Sequence, residues 1–185
     1  MTNYPPDQDL GEVLVTAEQI QVRVAELGRQ ITDDLAGKTP LLVGVLKGSV
    51  IFVADLMRSI EGPVEVDFMA VSSYGDATAS SGVVKIVKDL DAPIAGRDVI
   101  LVEDIIDSGL TMKYLVDHLL SQGPASLRTC SLLIREGRKD PQVQLDYVGF
   151  ELPPAFVIGY GLDVGQRYRN LPYIGTFTGD AQAGG

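Results

Sequence analysis

Apolar residues along the chain fall into two kinds of pattern. Ile20, Val24, Leu27, Ile31 and Leu35 recur at helical spacing. Thr16 stands before them as an N-cap, with Gln19 three residues on as its capping-box partner, and Gly37 stops the helix. Leu41 to Leu46 is instead a continuous apolar run, the mark of a strand buried on both faces. Lys47-Gly48 breaks it, Ser49 to Ile60 reads as a second helix, and Gly62-Pro63 punctuates. Val64 to Ser73 alternates as a strand, Tyr74 to Gly82 is a small, polar, glycine-containing loop, and Val83 to Lys88 is a strand again. After a turn over Asp89 to Arg97, Val99 to Val102 is a further buried strand. Met112, Leu115, Val116, Leu119 and Leu120 mark one face of a third helix, ended by Gly123-Pro124. Leu127 to Ile134, Tyr147 to Phe150 and Phe156 to Tyr160 are expected strands.

Buried strands alternating with helices predict an α/β domain around a mainly parallel sheet. Such sheets bind ligands at the carboxyl ends of their strands, so the residues just after each strand are the ones to read for chemistry. With 185 residues and no internal linker or repeat, one domain is expected over 1–185, with 1–12 and 178–185 loose.

Charge narrows the function. There are 25 acidic and 15 basic residues, a formal charge of −10. That balance opposes general binding to nucleic acid or anionic lipid, so a site for an anionic substrate has to be built locally. A single cysteine, Cys130, lies in an apolar run and reads as a buried thiol in a reducing compartment. No apolar stretch is long enough to span a bilayer and residues 1–10 do not resemble a signal peptide, so a cytoplasmic location is expected. His118, off the apolar face of its helix, reads as a surface residue.

The chemistry concentrates in Val99 to Thr111, V-I-L-V-E-D-I-I-D-S-G-L-T. Buried aliphatics deliver Glu103 and Asp104 to a strand end, and Asp107, Ser108, Gly109, Leu110 and Thr111 follow before a helix. Backbone amides at a helix start, with the Ser and Thr hydroxyls, make a phosphate cradle. Gly109 lets the backbone approach closely. Two carboxylates beside such a cradle suit ribose hydroxyls, or Mg²⁺ bound to them. Neither Rossmann nor Walker glycine spacing is present.

This stretch resembles the phosphoribosyl pyrophosphate signature of the type I phosphoribosyltransferases. Further segments are similar to the family's hypoxanthine-guanine branch, and the resemblance runs from about Thr16 to Phe177. Leu46-Lys47-Gly48-Ser49 resembles the pyrophosphate loop, where the family often carries a non-proline cis peptide before the Lys. Ser73-Tyr74 and the glycine-containing residues after it resemble the mobile lid. Val148 to Pro153 matches the stretch before the base site. Phe156 to Asp163 resembles the base-binding segment, which implies that Phe156 stacks on the purine and the Val157 backbone reads its edge.

The same resemblance implies Asp163 near Mg²⁺, Arg169 on the pyrophosphate, and a metal set of Glu103, Asp104 and Asp163. It implies Asp107 as the group managing the proton at N7. The family's usual Lys for the purine 6-oxo group falls on Arg135 here, with Arg138 and Lys139 as competitors if the alignment shifts. The implied fold is a mainly parallel twisted sheet flanked by helices, with a small hood from the N- and C-terminal segments. The implied activity transfers phosphoribosyl from phosphoribosyl pyrophosphate to N9 of hypoxanthine or guanine, with Mg²⁺, in a homo-oligomer (dimer or tetramer). Another base such as xanthine, adenine or a pyrimidine, and a non-catalytic phosphoribosyl pyrophosphate-binding regulator, are the competing readings.

Overall fold

The computed structural model describes residues 9–73, 84–107, 109–136 and 143–179. Strand β1 (Leu10–Val15) leads into helix α1 (Ala17–Asp34), then β2 (Leu41–Leu46), α2 (Val50–Ser59), β3 (Glu65–Ser73), β4 (Val84–Lys88) and β5 (Asp98–Ile106). Helix α3 (Leu110–Leu120), β6 (Ser126–Arg135), β7 (Tyr147–Leu152), β8 (Val157–Ile158) and β9 (Ile174–Phe177) complete the order.

Six strands form the main sheet in the order β4-β3-β2-β5-β6-β7. All its pairings are parallel except β3 with β4. The expected α/β architecture is therefore present. Alternation sorts the two faces of the sheet. Leu42, Ile100, Val102, Cys130 and Leu132 pack with α1 and α2, whereas Leu41, Val43, Val99 and Leu101 pack with α3. Cys130 is fully buried, and burial raises its thiol pKa far out of the reactive range.

Helix α1 begins as its residues dictate. The Thr16 side chain accepts from the Gln19 N–H, and the Gln19 side chain accepts from the Thr16 N–H at 2.8 Å. Helices α1 and α2 meet at a glycine: a Cβ on Gly28 would lie 2.3 Å from the Ser59 carbonyl oxygen.

Three expectations need correction. The N-terminal segment is not loose from Leu10 onward, because β1 pairs antiparallel with β9. With β8 these make a three-stranded sheet, β1-β9-β8, built from the N- and C-terminal segments as the hood was expected to be. Phe156 to Tyr160 is not a five-residue strand: β8 covers only Val157–Ile158, since Gly159 (φ 98°) and Tyr160 (φ 50°) turn the chain. Finally, β5 runs on to Ile106, so Glu103 and Asp104 sit inside the strand instead of after it. Alternation slips there. Ile105 packs on the α1/α2 face and Ile106 on the α3 face, the reverse of what Val102 would set.

His118 lies at the surface as expected, with Nε2 2.9 Å from Asp89 Oδ2. Among the described residues no helix is long and apolar enough to cross a membrane.

Gly28→Ala forces the two helices apart, so urea denaturation of that variant is expected to show a loss of ~1–3 kcal/mol from overpacking. An unchanged midpoint would mean the helix contact is soft.

Candidate functional site

The site forms where three chain segments meet at the carboxyl edge of the sheet. The first is the β2–α2 loop. Its Leu46–Lys47 peptide bond is cis, as the resemblance implied. Gly48 is pinched from both sides. A Cβ on it would stand 1.6 Å from Asp104 Oδ2, and a Cβ on Gly161 would stand 2.0 Å from the Gly48 carbonyl oxygen. Gly161 has φ 103°, a conformation that side chains disfavour. No side chain fits at either position, and that close approach brings Lys47, Asp104 and the segment after β8 together.

The second segment is the end of β5. Glu103 is buried and Asp104 half-buried, and the two carboxyls lie close enough to affect each other. Burial, and then the Asp104 charge beside it, push the Glu103 pKa well above the carboxylate range. Burial raises Asp104 too, opposed by the Ile105 N–H, which donates to Asp104 Oδ1 at 2.9 Å, and by the Arg169 guanidinium. Two desolvated carboxyls side by side suit a hard divalent cation or a pair of hydroxyl donors, either of which offsets the cost of their burial.

Beyond them, Glu103, Asp107, Gly109 and Thr111 line one small cavity of about 150 Å³. Gly109 starts α3 in the left-handed region, φ 78°, and supplies no side-chain cap. The helix start therefore presents its backbone toward the cavity mouth. Leu110 is exposed and Thr111 half-buried. Ser108 lies outside the described residues, as do Tyr74, the rest of the lid sequence to Gly82, and the alternative cations Arg138 and Lys139. Ser73 ends β3.

The third segment is the return from β8 to β9. Arg169 Nη2 lies 2.7 Å from Asp163 Oδ1, and Arg169 Nη1 donates to the Gly161 carbonyl at 2.7 Å. Asp163 Oδ2 accepts from the Gln166 N–H at 2.8 Å. Both Asp163 oxygens are thus engaged. Among the described residues no three acidic, His or Cys side chains gather into a metal-holding group. A hard cation that keeps several waters and takes substrate oxygens needs only one or two carboxylates from the protein, and Glu103 and Asp104 could hold it.

Arg135 joins the end of β5 to the segment before β8. Its Nε lies 3.2 Å from Asp107 Oδ1, and its Nη1 donates to the Ala155 carbonyl. Phe156, next in sequence, is 46% exposed, free to present a ring face, while Val157 is buried. Phe177 braces Phe156 from β9: the rings stand 6.0 Å apart, and the Phe177 N–H donates to the Phe156 carbonyl at 2.9 Å.

Sequence reading missed Gln166, whose Oε1 accepts from both Lys47 Nζ (3.2 Å) and Arg169 Nη2 (3.3 Å). The Gly165-Gln166 pair signals a turn, but nothing in the sequence places that turn opposite Lys47. It also missed the Ala155 carbonyl as a partner for Arg135.

The carboxyl pair makes a stability prediction. A folded-state pKa above the unfolded value costs nothing below the usual carboxyl range, and the cost grows as pH rises toward the raised value. Glu103→Gln is therefore expected to raise the thermal midpoint in metal-free buffer at pH 8, with the gain shrinking as pH falls toward 5. Calorimetry across that range checks it, and a gain independent of pH would contradict it.

Comparison with known proteins gives the same picture. The family model described as the phosphoribosyl transferase domain matches residues 13–164. A hypoxanthine-guanine phosphoribosyltransferase of Mycobacterium avium is 55% identical over 179 residues, covering 94% of this chain and 87% of that protein. One from Bacillus subtilis (strain 168) is 50% identical over 167 residues, covering 90% and 93%. The solved hypoxanthine phosphoribosyltransferase of Staphylococcus aureus superposes with a TM-score of 0.87 at 46% identity, over 92% of each chain. Signature, sheet order and hood coincide in one molecule, and the chain belongs to the phosphoribosyltransferase family, in its hypoxanthine-guanine branch.

Proposed function

We propose that the protein transfers a 5-phosphoribosyl group from phosphoribosyl pyrophosphate to N9 of hypoxanthine or guanine, giving IMP or GMP and pyrophosphate. The observation that carries the reading is the joining of the buried acid pair, the Asp107–Thr111 turn and the Lys47–Arg169 cations through the pinched Gly48. Relatives at 50–55% identity bearing the hypoxanthine-guanine name support the choice of base.

In this reading the backbone of Ser108, Gly109 and Leu110, with the Ser108 and Thr111 hydroxyls, fixes the 5′-phosphate. Glu103 and Asp104 hold the ribose hydroxyls, directly or through Mg²⁺. That ion, when bound, supplies positive charge to the pyrophosphate oxygens, with Asp163 approaching it through water. Lys47, Gly48 and Arg169 face the leaving pyrophosphate and offset the charge that develops on it. Phe156 stacks on the purine, the Val157 backbone meets its edge, and Arg135 donates to the 6-oxo group. Asp107 accepts the N7 proton as N9 bonds to C1 of the ribose and the bond to pyrophosphate breaks. Holding both reactants together makes the encounter local, and a lid from Ser73 and Tyr74 onward excludes water that would hydrolyse the ribosyl cation-like state. The protein is read as a cytoplasmic homo-oligomer, dimer or tetramer, which light scattering on the purified protein tests.

Pyrophosphate release with hypoxanthine, Mg²⁺ and phosphoribosyl pyrophosphate is the direct test. Sugar-phosphate binding without release would point to a regulator, and release with xanthine or adenine alone would move the base assignment. Asp107→Asn is expected to lower kcat by ~10²–10⁴, the usual range for a general base; near-normal turnover removes that role. Arg135→Lys, which keeps one donor but loses the fork that joins Asp107 to Ala155, is expected to change the ratio of hypoxanthine to guanine kcat/KM in a base-competition assay while the KM for phosphoribosyl pyrophosphate stays constant.

A further inference from the structure

Lys47 and Arg169 come from distant parts of the chain, and both point at one neutral atom. Gln166 Oε1 takes a hydrogen bond from each, at 3.2 and 3.3 Å. A carboxamide oxygen has two lone pairs, so the two cations fill it. Both contacts are longer than the ~2.7–2.9 Å usual where a cation meets an anionic oxygen. The carboxamide is thus a weak, uncharged acceptor between two cations that have no acidic group bridging them among the described contacts.

The backbone holds Gln166 in that position. Its φ is 66°, in the left-handed region that a residue with a long side chain seldom adopts. The turn around it is closed by mutual hydrogen bonds between Val164 and Arg167, and its N–H is tied to Asp163 Oδ2 at 2.8 Å. Asp163 in turn holds Arg169 by the other oxygen at 2.7 Å. One carboxylate therefore fixes both the place-holder and one of the cations it bridges.

We propose that Gln166 is a neutral place-holder for pyrophosphate, its Oε1 standing where a pyrophosphate oxygen bridges Lys47 and Arg169 and leaving when that oxygen arrives. The inference rests on the reading of Lys47 and Arg169 as pyrophosphate ligands. Charge explains the choice of residue. The carboxamide steadies two like charges before an anion binds, yet its bonds are exchanged readily for stronger ones to that anion. A carboxylate at the same position would compete with the ligand, and an apolar group would leave the cations unbridged and avid. Gln166 is a positioning residue and touches no reacting atom.

The test is calorimetric titration of magnesium pyrophosphate into the wild-type protein, Gln166→Glu and Gln166→Leu, with steady-state KM values for phosphoribosyl pyrophosphate and hypoxanthine. Gln166→Glu is expected to raise the pyrophosphate Kd and the phosphoribosyl pyrophosphate KM about ten-fold, and Gln166→Leu to lower the Kd about three-fold, both with the hypoxanthine KM unmoved. A Gln166→Leu Kd at or above the wild-type value overturns the proposal, and so does a Gln166→Glu Kd equal to wild type. Selective ¹⁵N labelling of glutamine in the wild-type protein gives a second readout free of any folding defect. The Gln166 side-chain amide signal, assigned by its loss in Gln166→Leu, is expected to move on adding magnesium pyrophosphate and not on adding hypoxanthine; an unmoved signal also overturns the proposal. Failure of the wild-type protein to bind pyrophosphate at all would instead sink the reading of the site itself.

Discussion

Everything at the site depends on how closely the backbone can approach itself at Gly48. The Asp104 carboxylate lies against one side of this residue and Gly161 against its carbonyl on the other, with no room for a methyl group at either contact. Because the approach is that close, Lys47 reaches the segment carrying Asp163 and Arg169, and the acid pair of β5 lies beside both. Widening it by a methyl group would draw Lys47 away from Gln166 by more than hydrogen bonding tolerates.

The sheet accepts a local cost to hold its acids there. Glu103 and Asp104 occupy strand positions that apolar residues would fill more stably, and burial raises the pKa of both. The slip in alternation between Val102 and Ile105 is part of the same arrangement. It frees the carboxyls from strict opposition across the sheet while Ile105 and Ile106 still find apolar neighbours. Core positions of β2, β5 and β6, fully buried at Leu42, Ile100, Leu101 and Leu132, supply the stability that this end of the sheet forgoes.

Local chemistry was legible in the sequence where a short segment contains its own partners. Thr16 and Gln19 announce the start of α1 because both halves of the cap lie within four residues. The run Leu41 to Leu46 announces a central strand because burial on both faces leaves no polar position. The Val99 to Thr111 segment carries acids, turn and helix start contiguously, so its chemistry could be read before its geometry. What escaped depends on distant partners. Strands β1 and β9 are short, and β1 is largely exposed, so neither shows a strong period; each is a strand because the other pairs with it. Phe156 to Tyr160 looked like a strand by composition, but positive φ at Gly159 and Tyr160 is set by packing against Leu171 and Tyr173. Gln166 is an ordinary turn residue until Lys47, more than a hundred positions away, is seen beside it.

The pairing of β1 with β9 bears on synthesis of the protein. Every strand of the six-stranded sheet is available once the chain has emerged as far as Leu152, and Glu103, Asp104 and the Asp107–Thr111 segment are then present. Phe156, however, is braced by Phe177, and β1 stays unpaired until β9 arrives. While residues through Phe177 are still inside the exit tunnel, β1 has no partner and Phe156 no brace, so the β1-β9-β8 sheet closes last.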